Sequence, residues 1–352
     1  MAYTTIDKPS DYFETKLYTG NGGTQSITGL DFQPNWVWIK DRDDTYKHIL
    51  VDSVRGATKH LASSLTAAEI TNTANVTSFT SDGFALSSDG NVNANADKYA
   101  SWNWKAGTAF SNDASSTGIG SIDSTGSVNQ TAGFSIVSFT GNATAGATIA
   151  HGLGAVPSWI LLKDRDLAKN WNSYHKGIDS SPQNFTIRLN NTDAKLDTPA
   201  NGWNDTAPTS SVFSIGDGTQ VNTSGSNMIA YIFAEKQGYS KFGSYIGNGN
   251  ADGTFVYTGF KPAMIILKRT DATNNWHLAD NKRLNPYNPT SAQMYPNLNN
   301  AEAEQADLDI LSNGFKPRQV HAFMNASGGT YIYMAFAENP FVTSTGVPAT
   351  AR

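Results

Sequence analysis

The 352-residue chain contains no cysteine, which excludes disulfides, thiolate metal sites and cysteine nucleophiles. Charge is sparse as well. Asp, Glu, Lys and Arg make up 16% of the residues, against roughly 25% in ordinary soluble domains. The net charge of −5 comes without any basic block, so the electrostatic footprint of a nucleic-acid binder is missing. No apolar run approaches the ~18 residues of a membrane span. The start MAYTTIDKPSDY has neither the basic end nor the apolar core of a secretory signal. These gaps lead us to expect a protein made in a cytoplasm, with no nucleic-acid partner and no membrane insertion.

Signatures of chemistry are missing too. The chain has no GxxxxGK[ST], HExxH, GxSxG or EF-hand loop. Its histidines, His48, His60, His151, His175, His277 and His321, show no metal spacing and read as structural. We expect no catalytic residue, no metal and no cofactor.

What the chain does have is 39% hydrophobic residues, 31 glycines and eight tryptophans in an Asn-, Thr- and Ser-rich background. That mixture reads as all-β with many turns. One stretch then organises the rest. FQPNWVWIKDRD (Phe32 to Asp43) returns as AVPSWILLKDRD (Ala155 to Asp166) and as FKPAMIILKRTD (Phe260 to Asp271). In each copy a proline (Pro34, Pro157, Pro262) precedes four apolar residues, and a lysine (Lys40, Lys163, Lys268) sits at proline plus six. Each copy lies in a unit that ends in a closing strand carrying Trp102 and Trp104, Tyr231 and Phe233, or Met334 and Phe336. The spacing from the Gly-Phe position to the end of the closing strand is 20 residues for Phe84 to Trp104 and for Phe213 to Phe233, and 21 for Phe315 to Phe336. Such agreement marks tandem repeats.

We therefore expect repeat one over 1–107, a Ser/Thr/Gly-rich linker over 108–131, repeat two over 132–238, repeat three over 239–341 and a tail over 342–352. Each repeat reads as a β-sandwich, jelly-roll-like or concanavalin-like, with a few short helices. Val54 to Glu69 reads as a strand running into a short helical turn. Ala301 to Leu311 is the best helix candidate.

The repeated strand makes a physical demand. Alternate side chains of a strand point to opposite faces. Trp36 and Trp38 share one face, as do Trp159 and Leu161, and Met264 and Ile266. Val37, Ile160 and Ile265 lie on the other. Both faces are apolar, so both must be covered. One belongs to the sandwich core. The other needs a neighbouring repeat, another subunit or a later segment, because leaving two large side chains per repeat in water forgoes about 1.5–3 kcal/mol each.

Other candidates carry a bland reading beside the sharp one. Asp41, Asp43 and Asp44 suggest calcium, but the third copy breaks the pattern, and a solvated turn fits better. Glu235 and Glu338 match in position, yet each stands alone in its repeat, unlike the paired carboxylates of a glycosidase. Trp171 and Trp276 follow their lysines by eight residues, with His48 in that place in repeat one. They could stack on sugars, but a staple from strand to core is the better reading.

With the copies laid out, the chain resembles a family of tandem-repeat, tail-fibre-like virion proteins of tailed, often marine, bacteriophages. The likeness is carried by MAYTTIDKPSDYFETKLYTGNG, by FQPNWVWIKDR with VDSVRGATKHL, by SKFGSYIGNGNADGTFVYTGFKPAMIILKRTD and by NASGGTYIYMAFAENPF. The resemblance implies a non-enzymatic structural protein of the virion surface, made in the host cytoplasm. Its partners would be other virion proteins of tail or capsid, copies of itself in a homo-oligomer such as a trimer, and a host-surface glycan or receptor. Repeats that begin near Met1 leave no shaft, which favours a compact knob, spike or capsid decoration. A glycan-degrading depolymerase is the weakest alternative.

Overall fold

The proline-led strands Trp36–Asp41, Trp159–Asp164 and Phe260–Arg269 hold equivalent places in three large antiparallel sheets. The computed structural model describes residues 2–283 and 288–348. In each repeat the opening strand pairs with the closing strand, the closing strand with the proline-led strand, and that strand with the one after it. Repeat one runs Phe13–Thr19, Lys98–Trp104, Trp36–Asp41, Ile49–Asp52. Repeat two runs Phe134–Thr140, Asn227–Phe233, Trp159–Asp164, Asn172–His175. Repeat three runs Ser240–Ile246, Thr330–Pro340, Phe260–Arg269, His277–Asp280. A smaller sheet closes each sandwich, built on Gly83–Leu86, Val212–Ile215 or Gly314–Pro317. The chain is thus all-β, three sandwiches in tandem. Among the described residues the α-helices are the short turns Gly90–Asn93 and Ala114–Thr117.

The register confirms the equivalence. Trp36 faces Trp104 and Trp38 faces Trp102. Trp159 faces Phe233 and Leu161 faces Tyr231. Met264 faces Phe336 and Ile266 faces Met334. Such directly opposed apolar pairs are the unit of sheet stabilisation.

Both faces of the proline-led strands are covered. Val37 and Ile39 pack inside sandwich one with Val76, Phe84 and Tyr99. Ile160 and Leu162 do the same in sandwich two with Phe213 and Trp203, as do Ile265 and Leu267 in sandwich three with Phe315 and Tyr331. The opposite faces meet one another. Trp36, Trp38, Trp159, Leu161, Met264 and Ile266 belong to one shared core, together with Trp102, Trp104, Tyr231, Phe233, Met334 and Phe336. At its centre the three closing-strand equivalents touch. Ring centroids lie 6.3 Å apart for Trp104–Phe233, 5.6 Å for Trp104–Phe336 and 5.4 Å for Phe233–Phe336. The three repeats surround a pseudo-threefold axis within one chain.

Three expectations are corrected. Residues 108–131 are not a linker: Thr108–Asn112 and Ser124–Asn129 add two strands to the edge of the second large sheet. Their polar composition fits an edge whose outer face meets water. Ala301 to Leu311 is no helix; Ala303–Leu311 is a strand paired to Gly314–Pro317. From Asp307 to Ile310 polar and apolar residues alternate with the period of a strand, and sheet context overrides propensity. Val54 to Glu69 holds the short strand Lys59–Leu61 and no helix.

Candidate functional site

The residues singled out by repetition converge on the seams between repeats. Pro34 and Pro157 lead their strands in, whereas Pro262 lies inside Phe260–Arg269 where the register shifts, and in all three copies the lysine at proline plus six ends the apolar run. Lys40, Lys163 and Lys268 are all fully buried, so the solvated turn expected here is only half right. Asp43 and Asp44 are exposed, while Asp41 and Asp164 are buried and accept backbone N–H groups of their own turns. Each ammonium has its charge answered by carbonyls rather than by water. Lys40 Nζ donates to Asp41 and Asp44, Lys163 to Asp164, Leu167 and Thr66, and Lys268 to Asn274 and Thr192. Desolvation pulls all three ammonium groups down to about 8. Thr66 and Thr192 belong to the preceding repeat, so two of these lysines stitch repeats together.

The position eight residues after the lysine is a second stitch. Trp171 Nε1 donates to the carbonyl of Ala62 at 2.8 Å, and Trp276 Nε1 to that of Arg188 at 2.9 Å. In repeat one the imidazole of His48 does the same work. Its Nδ1 accepts from Trp38 Nε1, which leaves Nε2 to donate to the carbonyl of Tyr295 at 3.0 Å. That neutral tautomer agrees with burial, which holds His48 well below the ordinary histidine range. All three side chains are buried. The staple reading therefore fits better than sugar stacking, with the staple running across a seam.

A backbone bond repeats around the axis as well. Glu69 N donates to Arg165 O, Lys195 N to Thr270 O and Glu302 N to Arg42 O. Repeat one binds two, two binds three, and three binds one, so the ring closes.

Two seams carry a buried charge relay. Asp52, Arg55, Glu69 and Arg165 form one chain of ion pairs, and Asp280, Arg283, Glu302 and Arg42 the other. A residue of the next closing strand completes each: Tyr231 Oη donates to Asp52 at 2.7 Å and Trp102 Nε1 to Asp280 at 3.0 Å. The remaining seam has His175, Ile178, Lys195 and Thr270 at these places, and His175 Nε2 donates to the carbonyl of Tyr333 at 3.1 Å. Lys195, the one charged residue of that set, is part exposed and pairs with Asp179, so fully buried charge is present at these places as a balanced set or not at all, as expected where one unpaired buried charge is very costly.

A repeated asparagine escaped the sequence analysis. Asn93, Asn222 and Asn325 are wholly buried, and each Oδ1 accepts the backbone N–H of Asn21, Asn142 or Asn248. Beside them Gly20, Gly141 and Gly247 leave no room for a Cβ, which would meet a carbonyl oxygen at 2.1, 2.3 and 2.4 Å. The signal was available: each asparagine precedes Trp104, Phe233 or Phe336 by 11 residues.

Glu235 pairs with Lys176 and Lys241, and Glu338 with Lys261. Both are architectural ion pairs. Of the histidines, His48, His151 and His175 are buried with partners, whereas the buried rings of His60 and His277 have none. Among the described residues no group of three or more His, Cys, Asp or Glu side chains is placed to hold a metal ion, and no helix is long and apolar enough to cross a membrane.

The fold and its seams define a class: single chains that close three related sandwiches about an internal axis. The chain matches, over residues 8–340, the family described as Domain of unknown function (DUF7483), and it belongs to that family. Comparison with curated proteins finds no match.

Proposed function

We propose that this protein is a non-enzymatic structural component of a tailed-phage virion, displayed on the particle surface as a tail-fibre- or spike-like body that contacts the host. One observation carries this reading. The side chains that repetition marks out, buried lysines, seam tryptophans and charge relays among them, are spent on holding three sandwiches in a closed ring. A body with threefold character and a fully stitched interior suits a symmetric particle. The resemblance of nearly the whole chain to tail-fibre-like virion proteins supplies the biological setting. Capsid decoration or a head fibre is the second reading, favoured by the compact ring.

The test is to probe purified particles with an antibody to this protein and to locate the label by electron microscopy. Label on the tail or its fibres supports the first reading, and label on the capsid faces or vertices supports the second. Particles that lack the protein would contradict both. Release of sugars from host envelope by the purified protein would overturn the non-enzymatic assignment.

A further inference from the structure

The pseudo-threefold axis provides an internal control, because the same place can be inspected in each repeat. One such place lies where the strand after the proline-led strand begins, beneath the loop that carries the buried asparagine. In repeat three it is filled by rings. His277 and Phe323 stack at 5.2 Å, and Tyr295 stands 6.2 Å from Phe323. The equivalents in repeat two are Asn172, Gln220 and Arg188. Asn172 pairs with Leu162 as His277 pairs with Leu267. Gln220 stands two before Asn222 as Phe323 stands two before Asn325. Arg188 accepts a seam tryptophan on its carbonyl as Tyr295 accepts His48. Where repeat three packs aromatic rings, repeat two has a cavity of about 280 Å³, close to the lower end of the ~300–1,000 Å³ range of small-molecule sites.

The lining specifies an occupant. Arg188 lines the space with its side chain 28% exposed, and among the described residues its guanidinium makes one ion pair, a 3.4 Å contact from Nη1 to Asp193. Asn172 spends its amide hydrogens on the carbonyls of Asn170 and Gln220, which leaves its Oδ1 as an acceptor. Gln220 accepts from Asn170 through Oε1, which leaves its own amide hydrogens to donate. Thr186 and Thr198 share one hydroxyl bond, so one hydroxyl proton remains. Leu196 and Val221 supply apolar wall, and no carboxylate lines the space. A cation whose loosely paired carboxylate, Asp193, lies outside the lining, set among neutral donors and acceptors, calls for a ligand with one negative charge and several hydroxyls. A free amino acid is disfavoured, because its ammonium would meet no carboxylate.

We propose that the cavity of repeat two binds a single acidic sugar residue, a hexuronate, with its carboxylate on Arg188 and its ring hydroxyls on Asn172, Gln220 and the Thr186–Thr198 pair. The proposal stands on the side chains of repeat two alone. An empty cavity would leave the virion reading untouched, and absence from particles would leave the cavity untouched.

The experiment is a titration of the full chain with sodium D-galacturonate and sodium D-glucuronate, read by saturation-transfer NMR, with D-glucose and acetate as comparators. The proposal expects saturable binding of at least one uronate. Replacing Gln220→Phe, which copies the filling of repeat three, is expected to abolish it. Arg188→Gln is expected to weaken the uronate by about tenfold or more, as loss of a charge-assisted hydrogen bond implies, and to leave it no tighter than glucose. Thermal melts of both variants establish that they fold; should Gln220→Phe not fold, Arg188→Gln decides. No saturation by either uronate, unchanged binding in Gln220→Phe, unchanged uronate affinity in Arg188→Gln or equal binding of acetate would each overturn the assignment.

Discussion

Tyr231 of repeat two gives its hydroxyl proton to the buried carboxylate of Asp52 of repeat one, at 2.7 Å. Arg55 contacts both, donating to the Tyr231 oxygen at 3.0 Å and pairing with Asp52. Burial and the neighbouring carboxylate hold the phenol well above its ordinary range, so it stays a donor. Removing different members of this trio should cost different amounts. Tyr231→Phe leaves Asp52 paired with Arg55, and we expect a loss of about 1–2 kcal/mol. Arg55→Met strands the charge of Asp52 in the interior, while Glu69 keeps Arg165, and we expect about 3–5 kcal/mol. Equilibrium urea denaturation of the two variants measures the difference, and equal losses would contradict it.

The seam tryptophans separate packing from hydrogen bonding. Trp171→Phe keeps much of the apolar surface but leaves the Ala62 carbonyl without its donor. A destabilisation of about 1–3 kcal/mol is expected, with Trp171→Ala losing more, about 3–5 kcal/mol, through the cavity it opens. Comparable losses from both would mean that the indole N–H, and not the ring, dominates.

Acid should weaken the fold before any carboxylate relay is neutralised. His175 is locked neutral, with Gly177 N donating to Nδ1 and Nε2 donating to Tyr333 O. Burial lowers His175 and His151 to about 4, below the ordinary value near 6.5. The sign follows from the lowered folded value. Between about 6.5 and 4 the unfolded chain binds protons that the folded chain refuses, so stability is present above that window and is lost as pH falls through it. Each ring contributes about 1–2 kcal/mol of loss between pH 7 and pH 5. Asp307, raised to about 7 by burial, works in the opposite direction. The net prediction is a lower denaturation midpoint at pH 5 than at pH 7, with a shallower pH slope in His175→Gln. An unchanged slope in that variant would contradict the assignment.

A repeat cut from the ring should not stand alone. Residues 1–107 without their neighbours would expose Trp36, Trp38, Trp102 and Trp104, all nearly or fully buried in the intact chain. Each side chain left in water forgoes about 1.5–3 kcal/mol against a net stability of about 5–15 kcal/mol. Sedimentation of this fragment is expected to show self-association or aggregation. A well-folded monomer would contradict the shared core.

The sequence was most informative where it broke a rule. A sandwich strand with one wet face alternates, and VWI and ILL do not, so two covered faces could be inferred before any coordinates. The matched spacings marked Trp104, Phe233 and Phe336 as equivalent positions, and only the structure paired them with Trp36, Trp159 and Met264. What covered the second face was not legible, because neighbouring repeat, later segment and second subunit all satisfy the same apolar demand. Lys40 misled for a related reason. A lysine before Asp-Arg-Asp suggests water, and only the carbonyls of its own turn make its burial tolerable. The 108–131 hairpin was hidden because polar residues that look like a linker also suit a solvent-facing edge. Asn93, Asn222 and Asn325 were missed because a single recurring asparagine is weak against an Asn-rich background. The cavity of repeat two became visible only by comparison with the equivalent place in repeat three.

The most direct test of the closed ring uses the absence of native cysteine. Ser64 of repeat one and Asn299 of repeat three hydrogen-bond side chain to side chain at 2.6 Å, 235 residues apart along the chain. The double variant Ser64→Cys/Asn299→Cys, oxidised under dilute conditions and analysed by non-reducing electrophoresis with mass spectrometry, is predicted to form one intramolecular disulfide in a monomer. Free thiols, or disulfides that only join separate chains, would show that repeat three does not close onto repeat one.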